Sequence, residues 1–271
     1  MFISVIIRTV DRPVRLTECL ESLSTQSCRD FEVVVVDMSD GTARPIVEAF
    51  RTRLPALNHL ETNGRIFSRP VALNFGVRKA AGCYIAVLDD DNCWEREHIQ
   101  ALQRGLEESE ADLVYTGVRR TTFSPEGKLL HEDRVREDFD FARLVRGNYI
   151  YASATAYRKD RWRQLGGYDI RFPVYEDWEF LIRATHNGKV ATLPGFSAIT
   201  QSFTGRVDMP EHFLRQPADC VRCTAAILWK HRKFCPGELT KRFGHRRSTI
   251  LLLSWWWHFL KSAISFRRCE K

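Results

Sequence analysis

Three adjacent carboxylates, Asp89, Asp90 and Asp91, follow an apolar run at 83–88. Like charges at neighbouring positions repel, and a cation among them relieves that cost. Hard oxygen donors in small number suit Mg²⁺ or Mn²⁺, which bind through one or two carboxylates and complete their shell with substrate phosphates and water. An isolated Asp-Asp-Asp is ordinarily a solvated turn. Here a further acid, Asp37, ends a second apolar run at 31–36, so two buried-type segments each deliver carboxylates to their ends and the metal reading is preferred. Another acidic pair, Glu176-Asp177, stands before Trp178, Leu181 and Ile182, whose spacing predicts a helix. A carboxylate at a helix amino end is stabilised as the anion, which serves a capping residue and a general base alike. Arg69 offers a guanidinium suited to phosphate oxygens, or is one more solvated arginine.

The elements that must hold these groups follow from periodicity. Apolar runs at 2–7, 31–36, 57–60, 83–88 and 113–115 read as strands, the first lacking any basic start or cleavage site. Helical spacing is expected from Pro13 onward, at 46–53, at 70–81 with Gly82 as its cap, at 95–108, and at 178–186 ending on Asn187-Gly188. Strands alternating with helices imply an α/β fold: a mainly parallel, Rossmann-like sheet with helices on both faces. In such sheets ligands sit at the carboxyl ends of the strands, where Asp37 and the Asp triplet fall. Beyond about residue 117 the pattern is irregular, with loops expected at 124–127 and 133–140.

The chain has 271 residues, 44% hydrophobic and 28% charged, which excludes a disordered chain, a collagen-like repeat and a multi-span membrane protein. Its formal charge of +7 is unevenly spread. Residues 222–271 carry twelve Lys and Arg against two Asp and Glu, a net +10 that leaves the first 221 residues at −3. An acidic body without a stacking motif argues against nucleic acid as a partner. The tail holds an apolar run at 250–260 with Trp255, Trp256 and Trp257, shorter than the ~20 residues of a membrane span. Tryptophans flanked by Arg246, Arg247, Lys261, Arg267 and Arg268 fit an interfacial helix on an anionic membrane face, the plainer alternative being a core or homodimer helix. Cys220, Cys223, His231 and Cys235 could ligate zinc, but the intervening residues read as one continuous helix with structural cysteines. The absence of a secretion signal implies reduced thiols and a cytoplasmic protein, peripheral on the inner face of the plasma membrane if the tail binds there.

Five segments in order resemble the family 2 glycosyltransferases of the GT-A fold. They are Val5-Ile6-Ile7-Arg8-Thr9; Phe31-Glu32-Val33-Val34-Val35-Val36-Asp37; Ala72-Leu73-Asn74-Phe75-Gly76-Val77 leading to Val87-Leu88-Asp89-Asp90-Asp91; Leu165-Gly166-Gly167-Tyr168-Asp169; and Tyr175-Glu176-Asp177-Trp178-Glu179-Phe180. The resemblance spans residues 3–193. It implies a GT-A catalytic domain at 1–205, with a nucleotide-binding half at 1–117 and an acceptor half at 118–205, followed by the basic tail at 206–271. It also implies inverting transfer of a sugar from a nucleotide-diphosphate donor to an acceptor hydroxyl, in cell-surface glycan or glycolipid assembly with a lipid-linked acceptor.

In that scheme Asp91 is the principal ligand of Mn²⁺ or Mg²⁺, and Asp89 assists or holds the ribose. Asp90 takes either role if the register slips by one. Thr9 and Asp37 lie in the nucleotide pocket, Arg69 meets the diphosphate, Asp177 is the base, and Glu176 holds the acceptor hydroxyl or orients the loop. The chain departs from the family at Met38 and at Val10-Asp11, positions that in relatives help hold the base and ribose, and at Leu73, where an arginine commonly precedes the asparagine. It has no Gln-X-X-Arg-Trp motif, which favours single-sugar transfer over polymerisation. A sugar-phosphate nucleotidyltransferase is the enzymatic alternative, disfavoured by a first turn without glycine; a non-catalytic nucleotide-sugar binding protein is the other.

Overall fold

The computed structural model describes residues 3–66, 68–204 and 217–244. The first half alternates strand and helix: β1 (Ile3–Thr9), α1 (Pro13–Ser24), β2 (Phe31–Asp37), α2 (Arg44–Phe50), β3 (Leu57–Glu61), α3 (Arg69–Lys79) and β4 (Tyr84–Asp89). Then come β5 (Cys93–Trp94), α4 (His98–Ser109), β6 (Leu113–Tyr115), β7 (Val118–Phe123), β8 (Leu129–Val135), α5 (Phe141–Arg146), β9 (Thr155–Arg158) and α6 (Lys159–Gln164). Next are α7 (Glu176–Thr185), β10 (Val190–Thr192), β11 (Ala198–Phe203), α8 (Pro217–Lys230) and α9 (Glu238–Phe243).

The main sheet has the order β10-β6-β9-β4-β1-β2-β3. All its neighbours pair in parallel except at β9, which runs against both β4 and β6. Before β9 the chain leaves the sheet to build β7 and β8, and it re-enters from the opposite direction. A second sheet has the order β5-β11-β7-β8. The segment after residue 117 is thus less irregular than its sequence suggests, and Asp133, expected in a loop, lies in β8.

Alternation on β1 and β2 divides the core. Val5, Ile7, Val33 and Val35 face α1, α2 and α4, while Ile6, Val34, Ile85 and Val87 face α3, α6 and α7. Strands buried on both faces explain why these segments read as unbroken apolar runs. Helix α3 ends at Lys79, three residues before the expected cap. Gly82 instead donates its N–H to Ser4 Oγ at 2.8 Å, at the entry to β4.

Among the described residues after 204, α8 packs on the α7 side. Ala225, Ile227 and Leu228 are fully buried in the same cluster as Phe180 and Ile182. The first part of the basic tail is therefore packed on the body. The tryptophan run at 250–260 lies outside the described residues. Among those described, no helix is long and apolar enough to cross a membrane.

Candidate active site

At the carboxyl edge of the main sheet lies a cavity of about 330 Å³. Its charged lining is Arg8 from β1, Arg69 from α3, Asp89 from β4, and Glu176 and Asp177 from α7. Parallel register sets Arg8 directly beside Asp89, and Arg8 Nη2 reaches Asp89 Oδ1 at 2.7 Å. The Asp triplet then splits. Asp90 turns back from the cavity, accepting from Thr9 Oγ1 at 2.8 Å and Arg12 Nη1 at 2.7 Å. Burial pushes its pKa up to about 6 against the opposing charge of Arg12. Asp91 shares Arg12 at 3.2 Å, and its side chain is about one-third exposed.

The opposite wall is built by the Gly-Gly-Tyr-Asp segment and the start of α7. Asn74, buried on α3, accepts the Tyr168 N–H and donates to the Tyr168 carbonyl, both at 2.8 Å, as a strand neighbour would. The same Asn74 oxygen accepts Trp162 Nε1. Gly167 passes so close that a Cβ there would sit 2.6 Å from Asn74 Oδ1, and its φ of +80° also favours glycine. Tyr175 takes a left-handed φ of 61°, uncommon for a bulky residue, and turns the chain sharply into α7. That turn aims Glu176 and Asp177 into the cavity at the helix amino end, where negative charge is favoured.

Glu176 is buried between the two arginines. Its Oε1 stands 3.0 Å from Arg69 Nε and 3.8 Å from Arg8 Nη2. Three atoms here, Arg8 Nε, Arg69 Nε and Glu176 Oε2, are buried without a hydrogen-bond partner; the Arg69–Glu176 pair is close but misaligned. Asp177 Oδ2 accepts Asn148 Nδ2 at 3.3 Å.

The expected residues therefore divide. Asp89, Arg69, Glu176 and Asp177 share one cavity, while Thr9, Asp90 and Asp91 form an adjoining cluster on Arg12. Asp37 lines neither. It is fully buried and accepts from Ser39 N–H, Ser39 Oγ and Ala43 N–H, so its carboxylate holds the turn into α2. Val10 and Met38, two of the departures from the family, pack with Val36 and Ala72 and border a narrow cleft beside Thr9, Arg12 and Asp90. Arg8, Arg12 and Asn148 were not foreseen. An arginine near the end of an otherwise apolar strand was the available signal for Arg8.

Of the four residues weighed for zinc, Cys223 and Cys235 are buried in the core and His231 Nε2 lies 3.3 Å from Glu179 Oε1. Among the described residues no three His, Cys, Asp or Glu side chains gather into a metal cage. Asp89 on the cavity wall and the part-exposed Asp91 two residues on, each beside an arginine, are of the donor type used by a cation that takes one or two carboxylates and draws its other ligands from phosphate and water.

Residues 4–165 match the family model of glycosyl transferase family 2. This chain belongs to that family. The uncharacterized glycosyltransferase YwdF of Bacillus subtilis (strain 168) is 31% identical over 206 residues, covering 73% of this chain and 74% of YwdF. A PGL/p-HBAD biosynthesis glycosyltransferase of Mycobacterium bovis is 31% identical over 198 residues, or 70% of this chain and 72% of that protein. Among solved structures, S. aureus TarS 1–349 in complex with UDP-GlcNAc superposes with a TM-score of 0.65 at 20% identity, covering 90% of this chain and 73% of that one. The chain spans only 40% of the longer TarS structure. The mannosyltransferase PcManGT from Pyrobaculum calidifontis, in complex with GDP-Man and Mn²⁺, gives a TM-score of 0.62 at 19% identity over 97% of this chain and 75% of that one. The glycosyltransferase has the GT-A fold that these neighbours share. Family membership removes the nucleotidyltransferase alternative.

Proposed function

We propose that this glycosyltransferase moves a single sugar from a nucleoside-diphosphate donor onto an acceptor hydroxyl with inversion. The observation that carries the reading is the cavity itself, where Asp89 from a strand end meets Glu176 and Asp177 from a helix start almost ninety residues away. Asp177 takes the acceptor proton, held in orientation by Asn148. Glu176, set between Arg8 and Arg69, orients the α7 entry and the acceptor hydroxyl. Asp89 and Asp91 would hold a divalent cation, Mn²⁺ or Mg²⁺, which would supply stabilisation of negative charge on the diphosphate. Arg69 supplies fixed positive charge on the same cavity wall. The nucleoside is assigned to the side of the cavity beside Thr9, Val10 and Met38, where the narrow cleft of about 10 Å³ must open to admit it, with Asp37 shaping the turn behind.

The test is transfer or hydrolysis of UDP- and GDP-sugars with Mn²⁺. Asp177→Asn should lower kcat by about 10³-fold or more, since general-base catalysis contributes ~10²–10⁴. Full turnover in that variant, with an unchanged circular-dichroism spectrum, removes Asp177 as the base.

The +10 tail supports a place on an anionic membrane face, where a lipid-linked acceptor would be found. Co-sedimentation with phosphatidylglycerol vesicles should be lost in a chain ending at residue 244, and equal sedimentation of the two chains removes that idea.

A further inference from the structure

We propose that Arg8 is a binding residue for the donor's diphosphate, acting as a cation that leaves its carboxylate partners for phosphate. The inference rests on the nucleoside-diphosphate reading above.

Arg8 is the penultimate residue of β1, the strand flanked by β2 and β4, so its backbone is fixed by pairing on both sides. Its side chain is 11% exposed and lines the cavity. A guanidinium carries five N–H donors. Of these, Nη2 bonds Asp89 at 2.7 Å and stands 3.8 Å from Glu176, while Nε is buried with no hydrogen-bond partner. A buried donor left unmet is costly, and a guanidinium that swings from Asp89 toward a ligand oxygen in the cavity removes that cost. Across Glu176, Arg69 holds a second buried, misaligned Nε. Two guanidiniums with unmet donors, on either side of one carboxylate, describe a receptor for a multiply charged oxyanion with several oxygens to share.

The charges of the cavity require that this ligand arrive with a cation. Asp89, Glu176 and Asp177 outnumber Arg8 and Arg69 on its lining, so an incoming diphosphate meets net repulsion while both arginines stay on carboxylates. Any cation that engages Asp89 frees Arg8 at the place where the diphosphate must lie. Arg12 is already engaged by both Asp90 and Asp91 and lines the narrow cleft, which Arg8 and Arg69 share, but not the cavity.

Titration calorimetry with UDP, UMP, GDP and GMP in excess Mn²⁺ tests the assignment on the full chain. For whichever base binds, Arg8→Gln should weaken the diphosphate by about tenfold or more and the monophosphate by about threefold or less, as loss of a charge-assisted bond to the second phosphate requires. Arg8→Lys keeps a point charge without the fork and should fall between. Circular dichroism and melting of both variants establish that they fold. Unchanged diphosphate affinity in a folded Arg8→Gln overturns the inference, as does equal weakening of mono- and diphosphate. Wild-type protein that binds none of the four nucleotides defeats the nucleoside-diphosphate reading together with this one, which separates the two failures.

Discussion

Helix α7 carries two clusters of charge that look alike by composition and differ in every physical respect. At its start, Glu176 meets Arg8 and Arg69 in an open cavity, with an unmet atom on each of the three side chains. One turn on, Glu179 is fully buried and well bonded. Arg183 grips it at 2.7–3.0 Å, Lys230 Nζ reaches it at 2.5 Å, and His231 Nε2 lies at 3.3 Å. Lys230 also reaches Asp169 at 2.7 Å, and Arg183 donates to the carbonyls of Leu165 and Gly167. This second cluster is a latch joining α7, α8 and the Gly-Gly-Tyr-Asp segment. Satisfaction distinguishes them: the latch spends its charges on structure, and the cavity keeps some in reserve for a ligand.

Breaking the latch should have the largest effect on stability. Glu179→Ala leaves Lys230 and Arg183 without their buried anion, a change that costs about 3–5 kcal/mol. Urea unfolding should register it, and a loss below about 1 kcal/mol would show that the latch is ornamental. Acid should loosen the same lock. Burial alone would raise the Glu179 pKa, but bonds from His231 and Arg183 and the charges of Arg183 and Lys230 hold it down at about 2, against 4.5 for an ordinary glutamate. A carboxylate lowered on folding contributes stability above its unfolded pKa, and that contribution disappears as pH falls through the folded one. About 3 kcal/mol should therefore be lost between pH 4.5 and 2, with a shallower slope in Glu179→Gln.

Gly167 lies between the two regions, since its carbonyl takes Arg183 from the latch while its Cα abuts Asn74 beneath the cavity wall. Gly167→Ala forces a Cβ to 2.6 Å from Asn74 Oδ1 at a left-handed φ, which should cost about 2 kcal/mol and pull Tyr168 from the cavity. Turnover should fall further than the melting temperature alone would explain. Equal loss of both would mean that the segment is only structural.

The two regions were not equally legible in the sequence. Strand-end acids stood out because apolar runs lead straight to them, and the βαβ order followed from the same runs. Asp89, Glu176, Asp177 and Arg69 were thus identifiable, and they share one cavity. Arg8 was hidden because an arginine beside a turn reads as solvated until the register sets it against Asp89. The latch was hidden for a different reason. Lys230 and His231 lie more than fifty residues beyond Glu179 on a helix whose charges suggested a separate basic tail. The second sheet was missed because β8 is largely exposed and polar, and its pairing with β7 tolerates residues that local pattern assigns to loops.

The finest test of the comparison is Glu176→Gln beside Glu179→Gln. Both changes remove one negative charge and keep the side-chain shape. In the latch, the amide presents two donors where Arg183, Lys230 and His231 require acceptors, so the penalty is that of a broken buried pair. In the cavity, one Glu176 oxygen has no partner to lose, the other makes no aligned bond to Arg69, and Asp89 and Asp177 remain as counter-charges to the two arginines. Glu176→Gln should therefore change stability by about 1 kcal/mol or less while lowering kcat by about 10²-fold, because the cavity's charge balance and acceptor orientation depend on it. A folded, fully active Glu176→Gln would place this carboxylate with the latch, as support for the α7 entry. Stability loss equal to that of Glu179→Gln would erase the distinction between a satisfied cluster and a receptive one.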